Sequence, residues 1–361
     1  MHTDKANKSL IRVHPRSSVA PFSAEPKSTI GPRLLAWYRK GHRDLPWRRT
    51  RDPYCIWVSE IMLQQTRAQA VIPYYERFLE RYPTVLALAA AREEEVLAVW
   101  SGLGYYSRAR NLLKAARQLA TAARFPTEIK EISALPGIGD YTAAAIASIA
   151  FGLPHAVADG NVLRVVARVL GDASDIGAMA TRRRFAETAQ AWLVPSDPGS
   201  FNQALMELGA TVCLPRHPLC GACPVAAACQ ARRSGAAGQL PVKLRRVAPV
   251  ELRETLLVVE RAGRVLLRRR ESSLGRMAGF WDLPSPQQLP QAHMGAVLGE
   301  FRHSITHHRY RITVARAAAR KPPAADGAFA WMDVALVKSI PLSTIARKGL
   351  NLAGKFARPT S

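Results

Sequence analysis

Four of the chain's five cysteines fall in one short run, Cys213-x6-Cys220-x2-Cys223-x5-Cys229. Four thiolates this close in sequence can serve one metal centre. The uneven spacing suits a compact loop wrapped round a cubane iron–sulfur cluster, whereas zinc ribbons more often use two separated Cys-x2-Cys pairs. Zinc and plain buried thiols stand as the alternatives. Pro215, Pro218 and Pro224 keep this loop from becoming helix. The fifth cysteine, Cys55, sits in an apolar helical pattern and reads as a core residue. Two carboxylates also stand out. Glu60 lies in Trp57-Val58-Ser59-Glu60-Ile61-Met62-Leu63, an acid among apolar helix residues, where desolvation would raise its pKa. The alternative is a solvated, salt-bridged side chain. Asp159 lies in Val157-Ala158-Asp159-Gly160-Asn161-Val162, and a new helix begins at Asn161; its plainer reading is a helix cap. Between the two acids, Leu135-Pro136-Gly137-Ile138-Gly139-Asp140-Tyr141-Thr142 links two helical stretches. Gly137 and Gly139 allow a tight turn, and the free N–H groups at the following helix N-terminus suit a phosphate. Such a turn holds a DNA backbone without reading its sequence. Its alternative is an ordinary glycine C-cap.

Elements of two kinds must position these groups. The 361 residues suggest two domains, each with its own core. Residues 31–233 read as an all-α domain carrying the cysteine run at 213–229, with helical faces at Tyr54–Gln69, Tyr74–Tyr82, Glu93–Trp100 and Ala109–Ala123. Gly and Pro at Pro73, Pro83, Gly102, Gly104, Pro126 and Pro136 separate them. Residues 234–248 lack periodicity and read as a linker. Beyond it, Thr255–Glu260 and Arg264–Arg269 flank a hairpin signal at Arg261-Ala262-Gly263; Tyr310–Ala315 alternates as a half-buried strand, and Ser343–Ala353 reads as a closing helix. Residues 249–355 therefore form an α+β domain. Residues 1–30 read as a flexible basic tail and 356–361 as a second tail.

Charge narrows the partner. Lys and Arg number 51 against 27 acids, a net charge of +24, and residues 243–361 carry +13 of it. That balance points to a polyanion, with nucleic acid first and an anionic membrane surface second. A codon bias toward Arg accounts for part of it. The longest apolar run, Ala143 to Leu153, falls short of the ~20 residues of a transmembrane helix, and residues 1–30 hold no apolar stretch of signal-peptide type, with a transit peptide as the alternative to a plain basic tail. We expect an intracellular protein without a membrane partner, in which clustered cysteines serve metal or catalysis rather than disulfides.

Together, Leu135-Pro136-Gly137-Ile138-Gly139, Val157-Ala158-Asp159 and the cysteine spacing resemble the endonuclease III superfamily of helix–hairpin–helix DNA glycosylases. Ser59-Glu60-Ile61-Met62-Leu63-Gln64-Gln65-Thr66 and Gly102-Leu103-Gly104-Tyr105-Tyr106-Ser107-Arg108 narrow the resemblance to the adenine DNA glycosylases of the MutY type. The resemblance implies excision of adenine mispaired with 8-oxoguanine, and more weakly with guanine, by a monomer acting on duplex DNA in the bacterial cytoplasm and nucleoid. It implies a [4Fe-4S] cluster on Cys213, Cys220, Cys223 and Cys229. Glu60 would protonate adenine N7, and Asp159 would stabilise the oxocarbenium ion left by the departing base. Tyr141 and Asn161 would orient the pair. Arg43, Trp47, Arg48 and Gln203 would line the adenine pocket, and Gly137 and Gly139 would hold the backbone. Gln65, Thr66, Leu103 and Tyr105 would surround the opposite base, with Tyr105 wedged into the stack. Bifunctional relatives carry a lysine where Tyr141 stands, and a tyrosine cannot form a Schiff base. The resemblance therefore implies a monofunctional enzyme. A glycosylase for another mismatch and a non-catalytic DNA-binding protein are the competing readings.

Residues 249–355 resemble the Nudix-like domain of the same family, through the hairpin, Arg268–Arg270 and Gly279-Phe280-Trp281-Asp282-Leu283-Pro284. No Arg-Glu-x2-Glu-Glu run follows Leu283, so no hydrolase activity is expected there. Phe301-Arg302-His303-Ser304-Ile305-Thr306-His307 matches the loop that inspects 8-oxoguanine, with Thr306 and His307 as contacts and Ile305 in place of the family's usual phenylalanine. Read without the resemblance, His303, His307 and His308 are a weak zinc alternative.

Overall fold

The computed structural model describes residues 29–122, 124–244, 248–270, 279–305, 307–319, 328–337 and 340–355. The tail over residues 1–28, part of the linker (245–247), Thr306 and the tail over 356–361 lie outside them. Helices come first: α1 (Ile30–Lys40), α2 (Pro53–Leu63), α3 (Ala68–Arg81), α4 (Val85–Ala89), α5 (Glu93–Trp100), α6 (Ser107–Ala122), α7 (Ile129–Ser133), α8 (Asp140–Phe151), α9 (Gly160–Leu170), α10 (Met179–Trp192), α11 (Pro198–Thr211) and α12 (Gln230–Arg233). Strands follow: β1 (Val250–Arg261), β2 (Arg264–Arg269), β3 (Trp281–Asp282), β4 (His293–Ile305), β5 (His308–Ala318) and β6 (Phe329–Asp333), closed by α13 (Thr344–Leu352).

Local chemistry starts and stops the helices that matter. Asp52 caps α2 by accepting from the amides of Tyr54 and Cys55, and Pro53 occupies the first helical position, where its missing N–H costs nothing. Asp197 and Pro198 start α11 in the same way. The helical part has two cores. One gathers Trp57, Phe78 and Trp100 from α2, α3 and α5; the other gathers Leu34, Val166, Phe185 and Phe201 from α1, α9, α10 and α11. Helix α8 is the spine between them. Its Ala143, Ile146 and Ala147 enter the first core, and Ala144 and Ala145 the second. Small side chains on both sides let both helix layers approach it closely.

Two expectations about helix limits are corrected. The run Tyr54–Gln69 is not one helix: α2 stops at Leu63, and Gln65 takes a left-handed φ of 60°. Conversely, Pro73 does not separate two helices but lies inside α3, exposed, so that the carbonyl it leaves unpaired faces water. Residues 234–244 are less free than a linker. Leu240 is buried, its carbonyl accepts from Arg168 Nε at 2.9 Å, and Ile176 N–H donates to Val242 O at 3.0 Å.

In the sheet part, β1 and β2 form the expected hairpin, but they pair only beside the turn. Strand β1 then runs parallel to β5, and β5 pairs antiparallel with β4. Strand β2 pairs with β3 and β6. Residues 301–305, expected in a loop, belong to β4; of the described residues between β4 and β5, His307 is turn. Register shifts between Met294, Val297 and Gly299 break the two-residue alternation there, which is why the pattern hides this strand.

Candidate active site

Helix α2 projects Glu60 into the seam between the two helical cores, where it is 4% exposed. Tyr141, in the first turn of α8, donates its hydroxyl to Glu60 Oε2 at 2.7 Å. Burial pushes the Glu60 carboxyl up to about 7; the Tyr141 bond and Arg48 oppose this, and Asp159 adds to it. Burial likewise lifts the Tyr141 phenol well above its ordinary value, so it remains a donor. Asp159 is the N-cap of α9, accepting from Val162 N–H at 2.7 Å, and its second oxygen accepts from Asn161 Nδ2 at 2.7 Å. Burial raises its carboxyl, against these hydrogen bonds and Arg164. Thus Asp159 is the helix cap of its plainer reading and a buried acid as well. Asn161 is itself fixed, since Arg164 Nη2 donates to its Oδ1 at 2.9 Å.

One cavity of about 1040 Å³ gathers Glu60, Tyr141, Asp159 and Asn161 with Arg43, Trp47, Arg48, Gln65, Thr66 and Gln203. A purine base fits such a space. Behind two of its lining residues, Arg43 and Arg48, lies an acid that sequence reasoning missed. Glu207 on α11 is 2% exposed and accepts from Arg43 Nη2 and Arg48 Nη2, both at 2.7 Å. Burial works against its charge, but the two arginines outweigh it and hold the carboxyl at about 2. The missed signal was an acid in an apolar helix four residues beyond Gln203, the same signal that marked Glu60. Gln203 in turn accepts from the Tyr38 hydroxyl at 2.7 Å.

Other expected residues lie elsewhere. Leu103 is 7% exposed and packs in the first helical core. Its neighbour Tyr105 is 40% exposed, at a φ of +48°. Gly137 has φ +81°, and a Cβ there would come within 2.7 Å of Asn111 Cβ, so the turn between α7 and α8 requires glycine. Gly139 caps α8 without a side-chain bond, leaving the first amides of the helix open to an anion. The His307 and His308 rings lie 4.1 Å apart, centroid to centroid, tilted at 39°.

The four clustered cysteines line a separate cavity with Val165, Leu208, Val212 and Val225. Arg168 Nη1 donates to Cys213 Sγ at 3.3 Å. Among the described residues, no three His, Cys, Asp or Glu side chains converge as the ligands of a single ion would. Four thiols around one apolar cavity are a donor set that could hold a metal centre. No described helix is long and apolar enough to cross a membrane.

Comparison with known proteins places this geometry. Residues 58–191 match the family model described as HhH-GPD superfamily base excision DNA repair protein. An adenine DNA glycosylase of Rattus norvegicus is 38% identical over 326 residues, covering 75% of this chain and 63% of the relative. One of Mus musculus is 35% identical over 379 residues, covering 83% and 73%. The solved structure of a thermostable thymine-DNA glycosylase matches at a TM-score of 0.53 and 30% identity, over 58% of this chain and 97% of that one.

Proposed function

The chain belongs to the adenine DNA glycosylase family within the helix–hairpin–helix base excision repair superfamily, and on that premise we propose that it hydrolyses the N-glycosidic bond of adenine opposite 8-oxoguanine in duplex DNA, and more slowly opposite guanine. One observation carries the reading. A carboxyl whose pKa burial lifts to about 7, Glu60, and a carboxyl held by two hydrogen-bond donors, Asp159, face one cavity large enough to admit a purine. An adenine turned out of the stack would enter that cavity. Glu60, protonated, would give its proton to N7, so that the base leaves neutral. The pair of electrons in the glycosidic bond goes with the base, and the sugar becomes an oxocarbenium ion. Asp159, ionised, would stabilise that cation. Glu60, now a carboxylate, would take a proton from the attacking water. The two acids thus need opposite charge states, which their different partners supply.

Arg43 and Arg48 are tied up by Glu207, so in this reading they shape the pocket rather than supply free charge. The open amides of α8 would hold a phosphate of the kinked strand. Tyr105 would occupy the gap beside the opposite base, and Thr306 and His307 would inspect that base. The basic sheet part would add a salt-sensitive search term.

The test compares single-turnover adenine release from duplexes with adenine opposite 8-oxoguanine, guanine, cytosine or thymine. We expect 8-oxoguanine first and guanine second. Equal rates on all four would refute the assigned specificity, and release of thymine instead of adenine would favour the competing mismatch. The rate should also fall as pH rises through about 7, because the acid Glu60 is then lost; a rate still rising at pH 9 would contradict its role.

We also propose that Cys213, Cys220, Cys223 and Cys229 hold a [4Fe-4S] cluster. When bound, the cluster would brace the loop that packs on α9. The purified chain should be coloured and carry about four iron atoms. A colourless protein with one zinc would sink this assignment.

A further inference from the structure

The loop between α5 and α6 is held at both ends by the C-terminal sheet region. At one end Ser101, 7% exposed, donates its hydroxyl to Leu342 O at 3.3 Å and accepts from Arg347 Nη2 at 2.6 Å. At the other end the Tyr106 ring lies 3.9 Å from the ring of Phe280, centroid to centroid. Phe280 is fully buried, and the residues around it belong to the first helical core, not to the sheet. Hydrogen bonds tie the three gripping residues, Phe280, Leu342 and Arg347, to one another's segments. Trp281 N–H donates to Pro341 O at 2.9 Å, and Ser343 N–H donates to Trp281 O at 3.0 Å. Ser343 then caps α13, which carries Arg347.

The residues between the two grips have no slack. Gly102, Gly104 and Tyr105 have φ of +111°, +71° and +48°. A Cβ on Gly102 would meet Tyr74 Oη at 2.1 Å. The carbonyls of Leu103 and Gly104 accept from buried Arg108 Nη2 at 3.3 and 3.2 Å. A tyrosine at positive φ persists only where its surroundings impose it. Here part of those surroundings belongs to the sheet region, so that region helps to aim the exposed Tyr105 ring.

We propose that Ser101 and Phe280 form a latch through which the sheet region, seated on the base opposite adenine, sets the position of the Tyr105 ring in the DNA stack. The inference rests on the wedge role given to Tyr105 above. Ser101 and Phe280 are positioning residues, since neither lines the cavity of the acids. The latch ties inspection of the opposite base to insertion of the wedge, and hence to adenine release.

A double-mutant cycle on the full chain tests it. Single-turnover adenine release is measured opposite 8-oxoguanine and opposite guanine for the parent, Ser101→Ala, Phe280→Ala, Tyr105→Ala and each latch variant combined with Tyr105→Ala. Circular dichroism melts check folding, and Ser101→Ala serves if Phe280→Ala does not fold. We expect each latch variant to reduce the preference for 8-oxoguanine about tenfold. We expect no further loss in the Tyr105→Ala background, because the effect travels through that ring. An unchanged preference, or effects that add in full to Tyr105→Ala, would overturn the latch. If the parent releases no adenine from either duplex, the functional reading fails separately. The latch is then judged by 2-aminopurine placed beside 8-oxoguanine, whose fluorescence rises on unstacking. Ser101→Ala should lower that rise toward the level of Tyr105→Ala, and an undiminished rise would overturn the latch.

Discussion

Glu60→Gln lowers single-turnover adenine release by about 10²- to 10⁴-fold and leaves binding to the mispaired duplex intact. The amide has the volume of the acid, and its oxygen can still accept from Tyr141, so the cavity keeps its shape. It lacks the proton that adenine N7 needs. The same substitution has a stability signature of its own. Burial raises the folded-state pKa of Glu60 to about 7, above an ordinary value of 4.5. A raised folded pKa means stability that is full below the unfolded value and declines as pH climbs through the folded one. The parent should therefore melt progressively lower between pH 5 and pH 8, and Glu60→Gln should not share that decline. Thermal melts across this range check it. A variant that remains active, or one that follows the parent's pH slope, would remove Glu60 from the role of acid.

Asp159→Asn should lower the rate by about 10²- to 10³-fold, the size of loss seen when a preorganised charge-stabilising group is removed. Asparagine also caps helices, so α9 keeps its bond from Val162 N–H. The damage falls on the other oxygen. It accepts from Asn161 Nδ2, and an amide nitrogen there would face a second donor. Asn161 cannot simply rotate, because its own oxygen is taken by Arg164. Asp159→Ala should lose the cap as well, at about 1 kcal/mol of stability, measured by urea unfolding. Near-parent rates in Asp159→Asn would show that the carboxylate charge does not stabilise the transition state.

Much of this site was legible in the chain, for identifiable reasons. Glu60 breaks an apolar helical stretch, the two-glycine turn precedes α8, and Asp159 stands where α9 must start. Those are local signals. That Tyr141 would reach Glu60 across 81 positions was not local; it follows from α8 packing between two cores. The Glu207 carboxylate escaped because its partners, Arg43 and Arg48, lie some 160 positions away. Gly102 and Gly104 mark a loop, but not which of its side chains it buries: the turn takes Leu103 inward and exposes Tyr105. In the sheet part, β5 alternates and was evident, but β4 carries the bulge that erases its period. The grip of Phe280 on Tyr106 joins two regions of the chain, and no periodicity within either one reports it.

The most direct test of the central claim is a duplex with one adenine opposite 8-oxoguanine, incubated with the full chain and divided in two, one half treated with alkali. Release of adenine, with strand cleavage appearing only in the alkali-treated half, is the result expected of an acid pair beside Tyr141 rather than a lysine. Cleavage without alkali, or no adenine release while the duplex is bound, would contradict the account.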